Sequence, residues 1–154
     1  MSFIDDILMA TTDYWPAQKR MKKELQQEMP NVKHGDSMKD TPYDRANAFS
    51  TGLLFMNMYP MFENGWDTKR AANLGKVYEY GRALVPTSYD FSTRWEDAKR
   101  DTMNNEAAYK IWDQIQAKEP GRKLTETEMK DMGKMYAKGL LSDEAINKML
   151  FGKK

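Results

Sequence analysis

The chain of 154 residues contains no cysteine and a single histidine, His34. The first absence excludes a disulfide framework and any thiolate zinc site. The second excludes a multi-histidine metal site within one chain, and it leaves a Ser-His-Asp relay dependent on His34 alone. His34 lies in PNVKHGDSMKD (30–40), whose Pro, Gly, Asn, Asp and Ser mark a loop. Charge of one sign is not in excess: 24 Lys plus Arg face 23 Asp plus Glu, for a net +1. That balance argues against a dedicated nucleic-acid binder. The one basic run, Lys19, Arg20, Lys22 and Lys23, has no interleaved aromatics and is followed by Glu24 and Glu28, so it reads as a solvated helix face. Long apolar runs are missing too. The longest, 52–62, falls short of the ~20 residues a spanning helix needs. The first ten residues carry Asp5 and Asp6 and no basic flank, unlike a signal peptide, so the expectation is a cytoplasmic protein. No P-loop, dinucleotide fingerprint or HExxH motif occurs.

What the chain does have is helical periodicity and 13 methionines, which fill irregular gaps between helices. The fold class is all-α, a single compact domain of about six to seven helices counted from start and stop signals. Its centre is the stretch 41–62, TPYDRANAFSTGLLFMNMYPMF. Thr41 suits the cap, Pro42 the first helical position, and Asp44 a first turn where a carboxylate meets the helix dipole. Ala46, Phe49, Leu53 and Met56 then recur on one face, widened by Leu54, Phe55 and Met58, so 42–58 reads as the central buried helix. Pro60 ends it. Asp67 suits the cap of a helix over 68–82, and Ser92 the cap of a long helix over 93–117 that a break near 102–105 would divide. These three helices are expected to form the core. Thr125 with Glu128 forms a capping box, Gly139 stops that helix, and Ser142 caps a last one. The chain thus divides into 1–40, an N-terminal docking arm; 41–119, the helical core; and 120–154, a C-terminal helical hairpin.

Chemistry is sparse. Asp101, Asn104 and Asn105 share a helix face, and burying such groups unpaired is costly, so they must bond to one another, to backbone or to a ligand. Together with Asn47, Ser50, Thr51 and Glu79 they make a candidate polar network, with the notch at Asn47, Ser50 and Thr51 facing Glu79 and Asn104. No metal ligand and no cofactor is assigned. Apolar residues on the terminal elements form candidate partner contacts: Ile4, Ile7, Leu8, Trp15, Met21, Leu25, Ile146, Met149 and Leu150.

The order Asn47-Ala48-Phe49, then Ala72-Asn73-Leu74-Gly75-Lys76-Val77-Tyr78-Glu79-Tyr80-Gly81, then Asp101-Thr102-Met103-Asn104-Asn105-Glu106-Ala107-Ala108 resembles a family of small, uncharacterised helical domains of bacteria and their phages. That family's pattern runs Asp-Ala-Phe-Arg-His, His-Glu and Asp-x-x-Asn-Asn. The resemblance covers roughly 44–112. Glu79, Asp101, Asn104 and Asn105 match it, whereas Ser50, Thr51 and Tyr78 stand where the family has Arg and His. The resemblance implies the family's helical core with a degraded or repurposed polar centre. The expected function is therefore non-enzymatic: an assembly protein, an accessory virion component of head, tail or internal type, whose partners are other protein subunits rather than nucleic acid. The alternatives are a small hydrolase or toxin-like enzyme using Glu79 and Asp101, since paired carboxylates serve acid–base chemistry, and a membrane-active protein that exposes 52–66.

Overall fold

The computed structural model describes residues 14–29, 40–58 and 68–152. Ile4, Ile7, Leu8, His34, Pro60 and Asp67 lie outside the described residues. Among the described residues every regular element is a helix: α1 (Trp15–Glu28), α2 (Pro42–Met58), α3 (Thr68–Ala83), α4 (Phe91–Lys118), α5 (Glu126–Ala137) and α6 (Asp143–Leu150).

Helix α2 forms for the reasons the sequence offers. Thr41 Oγ1 accepts from the Asp44 amide at 3.1 Å, closing the cap over Pro42. Beyond it Ala46, Phe49, Leu53, Leu54 and Met56 are buried. The helix lies between α4 and α5, and two glycines set the distances. A Cβ on Gly52 would stand 2.9 Å from Ala108 Cβ on α4, and one on Gly133 of α5 would stand 2.7 Å from the Ala46 carbonyl oxygen. Only hydrogen fits at either crossing. Contacts pair Gly52 with Ala108 and Phe55 with Tyr109, so α2 and α4 run parallel, whereas Phe49 on Tyr136 and Asn57 on Leu124 make α2 and α5 antiparallel.

The expected core of α2, α3 and α4 is thus corrected. Helix α5 is the principal partner of α2, and α3 packs along α4 while touching α2 lightly. Phe49 stacks on Tyr136 at 4.4 Å, and the Asn57 side chain bonds both backbone groups of Leu124, at 2.8 and 3.1 Å. Those contacts consume the apolar face that a free hairpin would offer a neighbour. The terminal stripes go the same way. Met21 and Leu25 of α1 and Ile146 and Leu150 of α6 are buried within this chain, Met149 is partly buried, and of the expected partner contacts that are described only Trp15 is exposed. One core cluster draws residues from all three expected segments, Met21 to Leu150. An ionic seam closes α1 on α5: Lys130 meets Glu24 at 2.7 Å and Glu28 at 3.0 Å, Lys134 meets Glu28 at 2.6 Å, and Arg20 meets Glu126 at 2.7 Å.

Two boundaries differ from the sequence reading. Asp90, not Ser92, caps α4, its Oδ1 accepting from the Thr93 amide at 2.7 Å. A carboxylate suits a helix start at least as well as a hydroxyl does. And α4 runs unbroken through 102–105, because the two asparagines there are held by tertiary packing that outweighs their weak propensity.

Candidate metal centre

Helices α3 and α4 are antiparallel. Arg94 Nε donates to the Ala83 carbonyl at 2.9 Å, Tyr80 packs on Trp95 at 4.6 Å, and Lys76 pairs with Glu106 at 3.9 Å. This register sets Glu79 opposite the second turn and third turn of α4, where Asp97 and Asp101 stand four residues apart and so on one face. The parallel run of α2 beside α4 brings Asp44, in the first turn of α2, to the same place. One carboxylate oxygen from each of Asp44, Asp97 and Asp101 lies within 4.8 Å of the others. Asp44, Asp97 and Glu79 are buried, and Asp101 is partly so.

The electrostatics follow from that crowding. Burial, reinforced by Asp97, pushes the Asp44 carboxyl up to about 7. Burial, with Asp44, Glu79 and Asp97 around it, pushes Asp101 up to about 10. Burial also raises Glu79 against the pull of Arg82, and raises Asp97 against Arg100 and Arg82. Asp101 stands beside both Glu79 and Asp97, and as a carboxylic acid it has one proton to donate to either carboxylate. The two guanidinium groups that act on the cluster approach at ion-pair distance, Arg82 Nη1 at 3.6 Å from Glu79 Oε1 and Arg100 Nη2 at 3.6 Å from Asp97 Oδ1. Even so, Asp44 Oδ2, Asp97 Oδ1 and Asp101 Oδ1 are buried and accept no hydrogen bond. Buried acceptors left in that state cost free energy, which a proton, a water or an ion at the cluster would offset.

The expected polar network divides. Glu79 and Asp101 do meet. Ser50 and Thr51 turn back on their own helix, Ser50 Oγ donating to the Ala46 carbonyl at 2.8 Å and Thr51 Oγ1 to the Asn47 carbonyl at 2.9 Å. Asn104 faces α5 rather than Glu79: its Oδ1 accepts from Tyr136 Oη at 2.7 Å. Asn105 lies with its backbone against Gly52. Asn47 Oδ1 is buried on α2 without a hydrogen bond. Asp44, Asp97, Arg82 and Arg100 were not among the site residues expected from the sequence. The i, i+4 spacing of Asp97 and Asp101 was the available signal, while Asp44 was hidden by its plausible role at a helix start.

Oxygen-only donors of this kind suit a hard cation, Mg²⁺, Mn²⁺ or Ca²⁺, rather than zinc or copper. Ligand oxygens about 2.0–2.6 Å from one ion stand at most ~5 Å apart, a spacing these three carboxylates meet. No family model matches this chain, and neither do the curated proteins or the solved structures.

Proposed function

We propose that this is a divalent-cation-binding protein whose site is Asp44, Asp97 and Asp101, with Glu79 beside them. The observation that carries the reading is the convergence of three carboxylate oxygens within 4.8 Å, each of the three carboxyls keeping a buried oxygen with no hydrogen bond. With all four acids ionised, two guanidinium groups leave two negative charges over, and a divalent ion supplies that charge in place of the protons the buried carboxyls otherwise keep. Protein freed of metal by chelation is titrated with MgCl₂, MnCl₂ and CaCl₂ while its thermal midpoint is followed. An ion at a hundred times its Kd adds about 2.7 kcal/mol of stability, worth roughly 5–10 °C for a chain of this size. Asp44→Asn and Asp97→Asn should each abolish most of that rise. A midpoint unmoved by millimolar amounts of all three ions would sink the reading.

A second reading is the assembly subunit, an accessory virion component, expected from the resemblance. It draws support from large apolar side chains left in solvent on α3, its following loop and α4: Val77 (70% exposed), Leu84, Val85, Phe91 and Met103 (69%). Light scattering across a concentration series tests it, and a monomer throughout would count against it. The membrane alternative would have to expose 52–66 from a state in which Gly52, Leu53, Leu54 and Met56 are core, and no described helix is long and apolar enough to cross a membrane.

A further inference from the structure

We propose that a cation held by Asp44, Asp97 and Asp101 turns its open side toward a phosphate-bearing small molecule, with Arg82 as the second grip on the phosphate oxygens. This rests on the cation reading above and adds to it the class of ligand. Arg82 sits one turn after Glu79 on α3, so its stem starts beside the cluster. The Arg82 side chain is partly open to solvent, 55% exposed against 10% for Glu79. The Arg82 guanidinium also lies over the Tyr78 ring, 5.6 Å from its centroid, a contact that restrains it beside Glu79. At 3.6 Å the pair with Glu79 is longer than a hydrogen bond. A guanidinium carries five N–H donors in a rigid fork that matches phosphate oxygens two at a time. A hard cation with carboxylate ligands on its protein side keeps water on its solvent side, and phosphate oxygens displace that water readily. On the metal side, Asp44 keeps an unmet acceptor. It is 5% exposed and its Oδ2 accepts no hydrogen bond, so the metal side of the site is incomplete without an ion. With four carboxylates, two guanidiniums and one divalent ion the site is balanced, and an incoming anion meets no net negative field.

Calorimetry on the full chain tests this, with inorganic pyrophosphate, inorganic phosphate and acetate titrated in turn into protein saturated with MnCl₂ and into the metal-free protein. Pyrophosphate is expected to bind more tightly than phosphate, only when Mn²⁺ is present, and acetate not to compete. Arg82→Gln should weaken pyrophosphate about tenfold or more, the loss of one charge-assisted pair, while Mn²⁺ affinity holds or rises because a neighbouring positive charge is gone. Arg82→Lys, which keeps the charge but not the fork, should fall between the two. Circular dichroism shows whether each variant is folded. Mn²⁺ binding without pyrophosphate binding, equal binding of acetate, or pyrophosphate binding indifferent to Arg82 overturns the inference and leaves the cation site standing. Absence of Mn²⁺ binding removes both.

Discussion

Asp44 answers to two opposing demands. At the start of α2 the exposed amide dipoles favour its anion, whereas burial beside Asp97 disfavours it, and the second effect wins, because the carboxyl is pushed up to about 7. Asp101 faces the same conflict without a helix start to help it and is pushed higher, to about 10. These side chains are held where they are unfavourable when nothing binds, as functional groups often are. Asp101→Asn is therefore expected to act in two directions. In EDTA at pH 8 it should raise the thermal midpoint, since the folded protein no longer has to protonate a carboxyl that ionises when unfolded. A gain of about 1 kcal/mol shifts a chain of this size by roughly 2–4 °C. Near pH 4 the gain should vanish, and with Mn²⁺ present the variant should lose the cation's stabilisation. A midpoint lower than wild type in EDTA at pH 8 would show that Asp101 acts mainly as a structural hydrogen-bond donor. At this scale the sequence was half legible. Glu79 and Asp101 stood out because large acids amid apolar residues demand partners. Asp97 was signalled only by its i, i+4 spacing from Asp101, and Asp44 did not stand out, because only the parallel packing of α2 on α4 brings a residue so distant in sequence to the same space.

The elements themselves were far more readable, since periodicity and caps are local. The cap at Thr41, the Thr125–Glu128 capping box and the Ser142 cap are all present. What periodicity does not encode is which apolar face meets which. Helix α5 carries a stripe that suited either a neighbouring subunit or this core, and Gly133 decided it by letting the Ala46 carbonyl approach. Gly133→Ala should cost about 1–3 kcal/mol, as overpacking at a tight crossing does, despite the better helix propensity of Ala. Urea unfolding measures this, and a neutral or stabilising result would mean that the α2–α5 crossing relaxes freely. The contrast with Gly81, where an added Cβ would meet nothing within 4 Å, supplies the control: Gly81→Ala should be neutral or slightly stabilising.

Taken whole, the molecule keeps its apolar core toward the α6 end and its acids at the end where α2 and α4 begin. Acids raised above their unfolded values bind protons on folding, so their contribution is fully present below about pH 4 and is lost as pH climbs through the folded values. For Asp44 that window runs from the ordinary 3.8 to about 7, and for Asp101 on to about 10. Melting curves in EDTA are thus expected to show a midpoint that falls from pH 5 to pH 9, and Mn²⁺ should restore most at the alkaline end, where fewer protons compete for the carboxylates. A midpoint that rises with pH over this range in EDTA would contradict the burial of the four acids.

Because α3 is fastened along α4 and touches α2 lightly, the helix that carries Glu79 and Arg82 is held mainly from one side. Local opening is drawn from such weakly anchored elements. Deuterium should enter the amides of α3 well before those of α2, and a bound cation should slow α3 selectively. The rate at which α3 lifts would then set how fast an ion is taken up and released, so that affinity resides in α2 and α4 while residence time is written in α3.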